Sequence, residues 1–82
     1  MSRVLRFTAT WCGPCKMLAK TLEKIETNLP IEVCDIDAVP EMAQQYGVRG
    51  VPTLILLDDE GKEVKRLVGG KPEAELRKWL GE

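Results

Sequence analysis

The alternation of apolar and polar positions changes period several times along the chain, and each change marks an element. Val4 to Phe7 is short, with Leu5 and Phe7 on one side of an extended segment and Val4 and Arg6 on the other, which suits a strand. Beyond it the period lengthens. Leu18, Leu22, Ile25 and Leu29 recur at helical spacing, while Lys16, Lys20, Glu23, Lys24 and Glu26 fall away from that stripe. Asn28 and Pro30 close this helix, because a proline biases the preceding residue away from helical geometry. Ile31 to Ile36 reads as a second strand. Asp37 to Val39 lead into a short helix with Pro40 in its first turn and Gly47 as its stop. Thr53 to Leu57 is a third strand, and the turn Asp58-Asp59-Glu60-Gly61 leads to a fourth, Glu63 to Val68. Gly69 and Gly70 break the chain, and Pro72 opens a last helix whose inner side includes Leu76, Trp79 and Leu80.

The first three elements form a βαβ unit with parallel strands and a right-handed crossover, and the last two strands form an antiparallel hairpin. The fold class is α/β: a minimal four-stranded mixed sheet flanked by three helices. Eighty-two residues leave room for one domain, residues 1–82, with a simple core.

Charge excludes more than it suggests. The net charge is −1, with acids and bases interspersed along the sequence. That balance gives no electrostatic footprint for nucleic acid and no basic cluster for a membrane surface. Met1 to Phe7 has no apolar run of secretory length, Arg6 interrupts it, and no stretch approaches a membrane span. A cytoplasmic monomer is expected.

Three cysteines and no histidine make a poor framework of structural staples. A bridge between Cys12 and Cys15 closes so short a loop that chain entropy supplies only about 2 kcal/mol. Structural zinc wants four Cys or His ligands, and Cys34 is far from the pair in sequence. Redox chemistry is the better use of Cys12 and Cys15. Cys12 stands between a strand and a helix start, where unpaired N–H groups and the positive end of the helix dipole favour a thiolate. A thiol of pKa ~8.5 is roughly 3% ionised at pH 7 and one of pKa ~7 is half ionised. Lower nucleophilicity takes back roughly fivefold, so the net gain in attack rate is about threefold. Positioning must supply the rest. Gly13 allows close approach of the backbone and Pro14 fixes the first helical turn without wasting a donor.

Trp11-Cys12-Gly13-Pro14-Cys15-Lys16 is similar to the active-site motif of thioredoxins, the handiest known example of such a pair. Tyr46-Gly47-Val48-Arg49-Gly50-Val51-Pro52-Thr53 resembles that family's second signature, and the likeness continues through Gly61 and Gly69. The resemblance implies a protein-disulfide reductase with no cofactor beyond the redox-active Cys12–Cys15 disulfide. It implies Cys12 as nucleophile and Cys15 as resolving thiol. It also implies a cis bond before Pro52, with Pro52 facing the pair, and a substrate groove formed by Trp11, Gly13, Pro14, Val51, Pro52 and Gly69. The implied electron donor is a flavin-dependent thioredoxin reductase, and a ribonucleotide reductase is one implied protein substrate.

The chain departs from the family pattern in several places. It begins at the motif strand, without the extra strand and helix of full-length members. Lys20 stands where a kinking proline is usual, and Thr8 where a second tryptophan is common. Arg6 stands at the place of a partly buried acid and Val33 at that of its companion lysine, which makes Arg6 a candidate modulator of the thiolate, with Asp35 a candidate partner and an outward-reaching guanidinium the alternative. Cys34 reads as a small buried hydrophobe and Trp79 as core. Two competing functions remain: a glutaredoxin-like reductase coupled to glutathione, and a non-catalytic binding module of the same fold.

Overall fold

A computed structural model describes residues 1–81. The elements are β1 (Arg3–Thr8), α1 (Gly13–Glu23), β2 (Ile31–Asp35), α2 (Pro40–Gln45), β3 (Thr53–Leu57), β4 (Glu63–Val68) and α3 (Glu73–Trp79). They form one mixed sheet of order β2-β1-β3-β4. β1 lies parallel to β2, with Arg6 opposite Val33, and antiparallel to β3, with Arg6 opposite Leu54. β3 and β4 form the antiparallel hairpin, with an irregularity between Leu56 and Leu57.

The two-residue period of β1 sends its side chains into two cores. Val4 joins Leu18, Ile25, Leu54, Leu76 and Leu80 between the sheet and helices α1 and α3. Leu5 and Phe7 join Cys34, Ile55 and Leu57, covered by Met42, Ala43 and Tyr46 of α2 and its end. Phe7, Leu5 and Leu76 are fully buried, each contributing about 1.5–3 kcal/mol of transfer free energy. Trp79 packs against the first core as expected, with the Lys65 ammonium 4.9 Å from its ring centroid.

Helix α1 ends earlier than the spacing predicts. Lys24 is its C-cap, and the N–H groups of Lys24 and Ile25 donate to carbonyls only three residues back, tightening the last turn. Ile25 and Leu29 still reach the core, from the turn rather than from the helix. Pro40 and Pro72 start their helices as expected, Pro40 as the first residue and Pro72 as the N-cap. No helix among the described residues is long and apolar enough to cross a membrane.

Candidate redox site

The reactive pair sits where β1 ends and α1 begins. The N–H of Cys12 donates to the carbonyl of Ala9 at 3.2 Å, closing the turn out of β1. Cys12 is the N-cap of α1: its backbone is extended (φ −92°, ψ 108°) and its Sγ accepts the Cys15 N–H at 3.1 Å. A sulfur in that position takes the place of the usual capping oxygen and meets the positive end of the helix dipole. Cys12 and Cys15 are joined as a disulfide, with Cα atoms 5.2 Å apart. Cys15 is 1% exposed and Cys12 5%, and together with Ala9 they form a third apolar cluster contacted by Ile36 and Val51. Gly13 and Pro14, between them, are exposed.

The loop before β3 approaches from the other side. Its Val51–Pro52 bond is cis. The Val51 carbonyl oxygen lies 3.8 Å from Cys12 Sγ, and Pro52 is buried. Two contacts hold the loop in place. The Thr53 hydroxyl, 2% exposed, donates to the Gly50 carbonyl at 2.8 Å, and the Gly69 N–H donates to the Pro52 carbonyl at 2.9 Å. Gly69 does this at φ +88°, a conformation that L side chains rarely adopt. Val51, Pro52 and Gly69 are thus gathered beside the pair.

Trp11 is 67% exposed and would be free to swing were its indole N–H not donated to Asp37 Oδ2 at 3.0 Å. Asp37 is in turn fixed by its own N–H, which Asp35 Oδ1 accepts at 2.8 Å. Sequence reasoning missed both roles. The spaced acids of Asp35-Ile36-Asp37 are a turn signal, but nothing local couples them to a tryptophan 26 residues away.

Arg6 is not paired with Asp35. Among the described residues no ion pair joins them; the β1–β2 register sets Asp35 opposite Thr8, and its carboxylate is turned to the Asp37 N–H. Arg6 instead lies half-buried in a recess with Ala19, Leu22, Ile31, Val33 and Glu23, on the flank of α1. Burial there pushes its guanidinium pKa down from the ordinary value. Cys34 is the small buried hydrophobe expected, and burial, reinforced by Glu32 and opposed by Arg3, pushes its thiol pKa up. Among the described residues no three His, Cys, Asp or Glu side chains are grouped to hold a metal.

A cysteine pair that caps a helix and faces a cis-proline loop, on a mixed four-stranded sheet, defines a thiol–disulfide oxidoreductase of the thioredoxin fold. A thioredoxin family model matches residues 1–82, and the chain belongs to that family. Thioredoxin from Chlamydia muridarum is 52% identical over 77 residues, covering 90% of this chain and 74% of that one. A bifunctional thioredoxin reductase/thioredoxin from Mycobacterium leprae is 45% identical over 80 residues, 93% of this chain but 17% of that one. A mutant thioredoxin from Halobacterium salinarum superposes with a TM-score of 0.87 at 38% identity, covering 96% of this chain and 71% of that chain.

Proposed function

We propose that this chain, as a single monomeric domain in the cytoplasm, reduces protein disulfides through Cys12 as nucleophile and Cys15 as resolving thiol. The observation that carries the assignment is the capping geometry: the Cys15 N–H points at Cys12 Sγ, and of the two buried cysteines Cys15 is the more covered. A negative charge is therefore favoured on Cys12 and disfavoured on Cys15. In the reduced protein the Cys12 thiolate attacks one substrate sulfur, the substrate disulfide breaks, and its other sulfur leaves as a thiolate that takes a proton. Cys15 then gives up its proton and attacks Cys12 Sγ, releasing the second substrate thiolate and leaving the Cys12–Cys15 disulfide. Two electrons pass to the substrate.

The substrate segment would lie along Trp11, Gly13, Pro14, Val51, Pro52 and Gly69. The Val51 carbonyl beside Cys12 offers it a backbone acceptor, and the tether to Asp37 keeps the exposed Trp11 ring oriented. Arg6, a half-buried cation on the α1 side of β1 with no ion-pair partner among the described residues, would favour thiolate at the pair through space. The bifunctional relative supports a thioredoxin reductase as electron donor. A ribonucleotide reductase is a protein substrate of the right class.

The test is a coupled assay with a flavin-dependent thioredoxin reductase, NADPH and a disulfide-bonded protein. NADPH consumption that requires both cysteines supports the reading. Turnover with glutathione and glutathione reductase, and none with thioredoxin reductase, would replace the donor. Turnover surviving in Cys12→Ser would overturn the assignment of the nucleophile.

A further inference from the structure

The charges fall into blocks along the sequence, and the fold sets those blocks apart. Through residue 24 the chain carries five cations, Arg3, Arg6, Lys16, Lys20 and Lys24, against Glu23 alone. Residues 25 to 48 carry five acids, Glu26, Glu32, Asp35, Asp37 and Glu41, and no cation. Of these, Arg6, Lys16, Lys20 and Lys24 lie on the α1 side of the sheet, and Glu32, Asp37 and Glu41 on β2, the turn after it and α2, with Cys12 and the Asp37-tethered Trp11 between the two groups. Lys16, Lys20 and Lys24 are four apart and follow one line along α1. Among the described residues none of the three is in an ion pair.

Beside that line, between α1 and the start of α3, lies an apolar recess of about 460 Å³. Pro14, Met17 and Thr21 line it from α1, and Gly70, Lys71 and Pro72 from the loop opposite. Met17 is 67% exposed, so its side chain is available to a docking segment. Glu73 also borders the recess, but its carboxylate is held by Arg77 at 2.9 Å, so Lys71 remains the uncompensated charge on that wall. On the other wall Lys20 follows Met17 by three residues and Lys24 follows Thr21 by three, spacings that make each lysine a neighbour of a lining residue on the helix surface. The recess begins at Pro14, inside the reactive motif, where a Cβ on Gly70 would stand 4.0 Å from the Pro14 Cβ. From Gly13 to Lys24 the helix rises about 17 Å, the reach of roughly five extended residues.

We propose that this recess receives an apolar side chain near the target cysteine of an acidic disulfide-bearing segment, whose carboxylates meet Lys20, Lys24 and Lys71. The proposal rests on the reading that Cys12 attacks a protein disulfide, and it names which segments the site prefers. The charge pattern argues for this occupant. A basic segment would meet three unpaired ammonium groups, and an acidic one meets complementary charge on both walls. The same separation orients the approach, because the acidic β2–α2 flank repels the segment and turns it towards α1.

The experiment compares second-order rate constants for the reduced protein with three disulfides. Two are peptides of equal length with a leucine near the cysteine, one flanked by glutamates and one by lysines. The third is bis(2-hydroxyethyl) disulfide, small and neutral. The acidic peptide should react about tenfold faster than the basic one at low ionic strength, with the ratio shrinking in high salt. Replacing its leucine with serine should slow it severalfold, and the Lys20→Glu/Lys24→Glu/Lys71→Glu variant should invert the order of the two peptides. Equal rates for the two peptides, or an order unchanged in the variant, would overturn the proposal. So would a dimer at low salt whose dissociation speeds reduction, since the recess would then hold the acidic flank of a second copy. If the wild-type protein failed to reduce even the neutral disulfide, the underlying reductase reading would fall instead.

Discussion

Two adjacent glycines separate backbone strain from space, and they should respond to the same substitution with opposite signs. At Gly69 a Cβ would meet nothing within 4 Å, so Gly69→Ala costs no packing; its penalty comes from φ +88°. An L-residue held in the left-handed region loses about 1–2 kcal/mol. Alanine restricts the unfolded chain and returns about 0.4–1 kcal/mol of that. The net is a destabilisation of about 1 kcal/mol. At Gly70 φ lies outside the left-handed range, and the added Cβ would make an ordinary contact with Pro14, so only the unfolded-state effect remains. Gly70→Ala should stabilise by up to about 1 kcal/mol. Urea unfolding of the oxidised proteins measures both. With a slope of about 1 kcal/mol/M for so small a domain, the midpoints should move apart by roughly 1–2 M. Gly69→Ala should also slow disulfide reduction more than Gly70→Ala, because only Gly69 tethers the Pro52 carbonyl. Midpoints shifted in the same direction would refute the separation of strain from space.

Cys15→Ser should leave Cys12 trapped in a mixed disulfide with substrate, detectable by non-reducing electrophoresis, and linkage through Cys34 instead would contradict the site. Leu76→Ala, at a fully buried position in the α1–α3 core, should cost about 2–5 kcal/mol and lower Tm by about 10 °C or more in a calorimeter. Burial raises the folded pKa of Cys34, so the unfolded chain loses that proton first. Stability of the oxidised protein should hold below the ordinary thiol pKa of ~8.5 and decline above it; Cys34→Ala should remove that part of the alkaline slope. Arg6→Leu should raise the thiolate pKa of the pair, followed by ultraviolet absorbance, and unchanged curves would reduce Arg6 to a cover for the apolar recess beside Leu22 and Val33.

Periodicity carried most of the fold because each face of β1 has its own core. Leu5 and Phe7 point to α2 and Val4 to α1, as the two-residue alternation requires. The end of α1 was not legible. Ile25 and Leu29 keep helical spacing, and only the hydrogen bonds of the Lys24 and Ile25 N–H groups to carbonyls three residues back reveal that the helix has closed. At the site, the motifs identified the cysteines and the cis bond before Pro52, because these depend on neighbouring residues. The Trp11–Asp37 bond and the failure of Arg6 to meet Asp35 depend on register and on distant segments. No local pattern encodes them.

The helix cap of α1 is itself the redox atom, and that ties the protein's driving force to its own architecture. A thiolate accepts the Cys15 N–H and the helix dipole more strongly than a disulfide sulfur does, so capping favours the reduced protein over the oxidised one. A reductant is driven by the opposite preference. Each 1.4 kcal/mol by which the cap stabilises the reduced form raises the potential by about 30 mV and weakens the protein as an electron donor by that amount. Sequence changes in the first turn of α1 that improve the cap should therefore raise the thiolate fraction of Cys12 while making each completed turnover less favourable, a compromise set by a single N–H group.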